Sequence, residues 1–381
     1  MRPRWFVGLA LAGVLATACG SAPSSSSRVT ARATSTPTGK PTPTASPCAV
    51  AAQAAPPATL DVAFATALAF APDGRLFVAE RAGTVLVWQS GALQKFAAVA
   101  TVTTEADGSY SERGLLGLAL DPQFVVNHLV YAFYSDTNRT QQHVIRWTDC
   151  AGVASSPTVL VTLPSGPDCC HKGGRIAFGS DGKLYVSLGE EHDAPAAQNT
   201  ADVRGKILRY NADGSVPADN PFGADNPVWA YGLRNPFGIA FSESGQLAVT
   251  TNGPSGDAGS PRTGYDTVIL SVTRGERLQW PRCYGYSHPL QASACLGTPP
   301  DWSSESTTYV PTGATFVDAA GPAPYAGHLV ACTYERGMIV LTPGSPHATV
   351  SAGPSTCRLD VIEGTDHALY FSDDTHVYRI A

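Results

Sequence analysis

The chain has 381 residues, enough for one large domain or two ordinary ones. Charged residues make up 15% and the formal net charge is −6, with no lysine or arginine run, so a nucleic-acid-binding role is set aside. Glycine (37) and proline (30) are abundant, which suits short strands joined by tight turns rather than long helices.

Residues 1–19 read as an export signal. Met1-Arg2-Pro3-Arg4 is basic, and the apolar stretch 5–16 is shorter than the roughly 20 residues of an ordinary transmembrane helix. Leu15-Ala16-Thr17-Ala18-Cys19 has the form of a bacterial lipobox, with Ala16 where leucine is usual, and predicts lipidation at Cys19. The alternative is an ordinary cleaved signal with an incidental cysteine. With the lipid, the protein is extracytoplasmic and meets the outer face of the cell membrane through its anchor alone. Residues 20–58 are expected to form a disordered tether. Their stretch 20–47 is rich in Ser, Thr, Pro and Ala, and Val29 is its only larger apolar side chain. Nine cysteines fit an exported protein with disulfides. Cys283 with Cys295, and Cys332 with Cys357, are the expected local pairs, whereas Cys169 and Cys170 are expected to bridge to different partners, with a vicinal disulfide between them as the alternative.

From residue 59 to 381 short apolar runs alternate with Gly, Pro and Asp turns. A strand–turn–strand pattern recurs six times, beginning at Leu68, Leu118, Ile176, Ile239, Ala314 and Leu359. In the first, third and fourth copies Asp73-Gly74, Asp181-Gly182 and Ser244-Gly245 supply the turn. One such unit cannot bury its own faces, so the units must stack in a ring. The expected fold is all-β, a six-bladed β-propeller; a β-sandwich would not explain the repeated turn.

Four loops carry residues suited to chemistry. Asp168-Cys169-Cys170-His171-Lys172-Gly173-Gly174-Arg175 presents a histidine that could act as a base near neutral pH. Tyr231-Gly232-Leu233-Arg234-Asn235-Pro236 offers a cation beside an amide. Asn252-Gly253-Pro254-Ser255-Gly256-Asp257 exposes carbonyls of the kind Ca²⁺ prefers. Ser111-Glu112-Arg113-Gly114 places a polar pair at a blade edge, with a surface ion pair as the simpler reading. Each loop taken alone also has a purely structural explanation.

Taken together and in order, these loops resemble those of the soluble quinoprotein glucose/sorbosone (aldose sugar) dehydrogenases, over about residues 60–381. The resemblance includes Glu-Arg-Gly-Leu-Leu-Gly, His-x-Gly-Gly-Arg, Gly205-Lys206-Ile207-Leu208-Arg209-Tyr210 and Gly-Leu-Arg-Asn-Pro. It implies oxidation of an aldose substrate at the anomeric carbon with pyrroloquinoline quinone and Ca²⁺ as cofactors. It makes His171 the base, and gives Arg234 the charge on the reduced cofactor. Asn235 and Glu112 become cofactor contacts, and Gly253 and Pro254 carbonyl ligands of Ca²⁺. Where the family pattern has further cations in its last two blades, this chain reads Tyr334-Glu335-Arg336-Gly337 and Cys357-Arg358-Leu359, which leaves Arg336 and Arg358 as the cofactor-binding candidates. The sugar and the electron acceptor are unspecified. The rival expectation is a non-catalytic extracellular binding propeller for carbohydrate or protein.

Overall fold

The computed structural model describes Cys48 and residues 50–290 and 294–381. The export signal, Cys19 and the tether up to residue 47 lie outside the described residues. The described residues form six four-stranded antiparallel sheets and one two-stranded hairpin. Each four-stranded sheet is one blade. The blades begin with strands Ala65–Phe70, Leu115–Leu120, Ile176–Phe178, Asn235–Phe241, Pro311–Phe316 and Val361–Glu363. The all-β six-bladed propeller is the observed fold.

The turn chemistry explains the hairpins between first and second strands. In blade 1, Gly74 N donates to Ala71 O at 2.9 Å and Ala71 N to Arg75 O at 2.9 Å, with Gly74 at φ +86°. Asp73 Oδ1 accepts from Arg75 N at 3.1 Å, which fixes the turn. The same pair of bonds closes Gly179 to Lys183 and Ser242 to Gln246. Each is a turn completed by a residue in the left-handed region, matched to the twist of the flanking strands. Blade 6 repeats it at Gly364 to Ala368, with His367 rather than glycine at φ +57°.

Strand alternation builds the interfaces between blades. Along Leu184–Leu188 of blade 3, Leu184, Val186 and Leu188 pack in one cluster with Phe133 and Val144 of blade 2. Tyr185 packs in another with Ile239 and Val249 of blade 4. The period of two therefore gives each sheet two buried faces. The ring closes by pairing Thr59–Asp61, from the start of the folded region, with His376–Ile380 of the last blade.

Arg175 pins the first strands together at the axis. It is 7% exposed. Its guanidinium donates to carbonyls of Thr66, Leu116 (3.3 Å), Phe237 (3.2 Å) and Leu359 (3.2 Å), which lie at blades 1, 2, 4 and 6. Asp360 lies 3.6 Å away and accepts Leu68 N at 2.8 Å.

The described residues contain four disulfides: Cys48–Cys150, Cys169–Cys170, Cys283–Cys295 and Cys332–Cys357. The two expected local pairs are among them. The expectation that Cys169 and Cys170 reach separate partners is corrected, because they are bonded to each other. The other six cysteines in the described residues form the three remaining bridges. The far end of the expected tether is held rather than free. Cys48 is bonded to blade 2, Gln53 N donates to Asp73 O at 2.7 Å, and Gln53 Oε1 accepts Ser90 N at 2.8 Å.

Candidate active site

The ends of blades 2, 3 and 4 bring the four candidate loops into one hydrogen-bonded group. Residues 168–174 lead into blade 3, and Gly189 to Asp193 leave its second strand. The two segments cross closely: a Cβ on Gly189 would lie 2.0 Å from His171 O, so only glycine fits there. Gly174 N donates to Ser187 O at 2.8 Å and holds the incoming loop to the strand.

His171 is 4% exposed and sits at φ +57°. Its Nδ1 lies 2.5 Å from Glu190 Oε1. Glu190 is fully buried, and its second oxygen, Oε2, has no hydrogen-bond partner among the described residues. Burial first, then the Arg234 charge, hold the imidazole well below its ordinary value, so it is neutral at pH 7. Burial pushes Glu190 up to about 7. With Nδ1 committed to Glu190, Nε2 is the nitrogen left to take a proton. The His192 ring stacks on His171 with centroids 3.9 Å apart.

Arg234 and Asn235 enter from the start of blade 4. Arg234 O accepts Glu190 N at 2.8 Å, which couples the two loops. The Arg234 guanidinium makes a two-pronged pair with Asp257, 2.9 Å on each arm, and lies over the Trp280 ring at 5.7 Å. That pair holds the Asp257 carboxyl well below the usual carboxylate range despite its burial. Asn235 Oδ1 accepts Gly173 N at 3.1 Å, and its Nδ2 donates to Glu112 Oε2 at 3.1 Å. Glu112 Oε2 also accepts Lys172 N at 3.2 Å. Thus Glu112, His171 and Asn235 form one assembly across three blades. The neighbouring Arg113 is fully buried and pairs with Glu105, so the simpler reading of this motif as a surface ion pair is corrected.

Gly253 and Pro254 follow the second strand of blade 4. Gly253 N donates to Asp266 Oδ1 at 2.8 Å, and a Cβ there would lie 2.2 Å from Gly264 O. The adjoining Asn252 has a buried Oδ1 without a partner among the described residues. A cavity of about 330 Å³ opens beside this group, within the ordinary range for small-molecule sites. Its wall includes Glu112, Asn252, Arg81, Tyr110, Tyr334 and Arg175.

The two late arginines are placed differently. Arg358 does not line the cavity itself; it lies over the ring of the wall residue Tyr334 at 4.0 Å and pairs with Asp374 at 3.3 Å. Arg336 is exposed, donates to Thr308 O at 3.0 Å and is not part of the cavity wall. Sequence reasoning missed Glu190, Arg81 and the pairing of Asp257 with Arg234. Glu190 did leave a signal, because Glu190-Glu191-His192-Asp193 is a run of four ionisable residues directly after an apolar strand.

Residues 62–376 match the family model described as Glucose / Sorbosone dehydrogenase. The chain belongs to this family. It is 31% identical over 255 residues to quinoprotein glucose dehydrogenase B of Acinetobacter calcoaceticus, covering 58% of this chain and 50% of that protein. It is 32% identical over 202 residues to an aldose sugar dehydrogenase of Escherichia coli, covering 50% and 54%. The chain therefore spans about half the length of these curated relatives in the matched regions. Among solved structures, an oxidoreductase (glucose dehydrogenase) of Thermus thermophilus superposes with a TM-score of 0.71 at 29% identity, over 84% of this chain and 99% of that one. Membership of the glucose/sorbosone dehydrogenase family suggests an oxidoreductase, and the disulfides fit an extracytoplasmic location.

Proposed function

We propose that this glucose/sorbosone dehydrogenase family member oxidises an aldose at its anomeric carbon, with pyrroloquinoline quinone and Ca²⁺ as cofactors. The observation that carries the reading is the buried His171–Glu190 pair hydrogen-bonded through its loops to Asn235, Glu112 and Arg234. A binding propeller has no need of a neutral, desolvated histidine oriented by a buried acid.

The residues present fit both cofactors. The cavity has aromatic walls for a planar ring, from Phe64, Tyr110, Phe237 and Tyr334. The unpartnered Asn252 Oδ1 and the carbonyls of Gly253 and Pro254 are the hard oxygen donors that Ca²⁺ takes. Asn235, Glu112 and Arg358 would contact the organic cofactor. When bound, the quinone supplies the acceptor for a hydride, and Ca²⁺ polarises it. His171 Nε2 takes the proton of the anomeric hydroxyl, and Glu190 holds the ring through Nδ1 and steadies the imidazolium that forms. Arg234, whose charge is shared with Asp257, would offset negative charge developing on the reduced cofactor. Lipidation at Cys19 would hold the propeller at the outer face of the membrane.

The test is dye reduction by the purified chain, loaded with pyrroloquinoline quinone and Ca²⁺, across a panel of aldoses. Turnover that disappears in His171→Ala is the expected result. Cofactor-free, inactive protein under every loading condition would sink the reading and favour the non-catalytic binding propeller.

A further inference from the structure

Two arginines line the 330 Å³ cavity, and their surroundings differ sharply. Arg175 spends its donors on four main-chain carbonyls and has Asp360 beside it at 3.6 Å. Arg81 donates Nε to Arg113 O at 3.0 Å and Nη2 to the carbonyls of Thr103 (3.0 Å) and Ser111. Its Nη1 has no acceptor among the described residues, and no carboxylate there forms an ion pair with it. Glu112 is the one acid in the cavity wall, and its Oε2 is taken by Asn235 and Lys172. Burial lowers the Arg81 pKa from its ordinary value, outweighing the opposing pull of Tyr110, Glu112 and Tyr334.

The fold fixes this cation in place. Arg81 follows the second strand of blade 1. Its N donates to Phe64 O at 3.0 Å, and its O accepts Leu115 N at 2.9 Å. Gly114 leaves room for the side chain, since a Cβ there would lie 2.6 Å from Arg81 Cγ. The guanidinium lies over the Phe64 ring at 5.1 Å, and Tyr110 and Tyr334 share the wall. A half-satisfied guanidinium among aromatic faces is a site for a carboxylate carried on a planar ring.

Building on the function proposed above, we infer that Arg81 anchors a carboxylate of the quinone cofactor through its free Nη1. Blade 1 thereby supplies a cation that Glu335 cannot supply, and that the exposed Arg336 does not bring to the cavity. Asn252 stands in the same wall. The cofactor is therefore met by metal-binding oxygens from blade 4 and by a fixed positive charge from blade 1.

The test is a binding titration read by tryptophan fluorescence, with no turnover involved. The full chain, Arg81→Gln and Arg81→Lys are titrated in Ca²⁺ with pyrroloquinoline quinone and with its trimethyl ester, which lacks the carboxylate charges. Melting midpoints are recorded for all three proteins. A charge-assisted hydrogen bond predicts that Arg81→Gln weakens binding of the free acid about 10–100-fold and leaves the ester nearly unchanged. Arg81→Lys keeps the preference for acid over ester. Equal loss for acid and ester in Arg81→Gln would show that the side chain only holds the loop carbonyls, and would overturn the assignment. Unchanged affinity for the acid would overturn it as well. Failure of the unaltered chain to bind the acid at all would instead remove the function on which the inference rests.

Discussion

The two ends of the blade 3 hairpin use the same backbone conformation for opposite purposes. At the turn end, positive φ falls on Gly182, and the similar turns of blades 1 and 4 use Gly74 and Gly245. Backbone bonds satisfy these turns locally, with an aspartate carboxylate in blades 1 and 3 and the Ser242 hydroxyl in blade 4. At the other end, positive φ falls on His171, Glu191 and His192, where side chains make it unfavourable by about 1–3 kcal/mol each. Buried polar atoms without partners among the described residues include Glu190 Oε2, Asn252 Oδ1 and Trp280 Nε1 near this second end, and others elsewhere in the ring, such as both His128 nitrogens. One end is built for folding. The other carries positive-φ side-chain residues and unmet hydrogen bonds, the arrangement that the proposed function calls for.

The largest effect that would sharpen this contrast is chemical. His171→Ala is expected to lower kcat by about 10²–10⁴-fold, the usual weight of a general base, with a far-ultraviolet spectrum unchanged from the native chain. Loss of secondary structure instead would mean that His171 serves the fold. At the axis, Arg175→Met leaves Asp360 buried without its cation. A destabilisation of about 3–5 kcal/mol is expected in denaturant titration. A variant as stable as the native chain would show that the carbonyl bonds carry little.

Glu190→Gln is next, and it separates the two ends by pH. Ionised Glu190 accepts from Nδ1–H and makes Nε2 more basic, so kcat/KM should climb as pH rises through about 7. The glutamine variant should lose that climb and stay at the lower plateau. Stability runs the other way. The folded pKa of Glu190 is raised, so its ionisation opposes folding, and the penalty grows from the ordinary carboxylate range up to about 7. The glutamine variant should therefore melt higher than the native chain at pH 8, with a smaller gain at pH 4. An unchanged pH–rate profile would separate Glu190 from the base. The smallest effect belongs to the turn end. Gly245→Ala, in a turn at φ +84°, should cost about 1–2 kcal/mol of stability with kcat unchanged.

Sequence legibility followed the same division. The turn ends of blades 1, 3 and 4 were readable because Asp-Gly and Ser-Gly mark a local geometry. Blade 6 hid the same turn because His367 replaces the glycine. In blade 2 the short helix Phe124–Asn127 is inserted between the strands, which blurred the spacing. His171, Asn235 and Glu112 were legible as motifs, but their hydrogen bonds to one another join residues up to 123 positions apart. Arg175 stood within a quoted motif, yet nothing local told that it would bond to four other blades. Arg81 lies in an ordinary strand-end sequence, Glu80-Arg81-Ala82-Gly83, and its role follows only from what surrounds it in the folded ring.

The most direct test of the site is stoichiometric binding. The chain, stripped of metal, is titrated with pyrroloquinoline quinone in Ca²⁺ and again in excess chelator. One equivalent bound in Ca²⁺, with affinity falling sharply in chelator and in Asn252→Ala, is what a cofactor-holding mouth predicts. Absence of binding in both conditions would contradict it, and would leave the strained, unsatisfied end of the propeller without the ligand proposed for it.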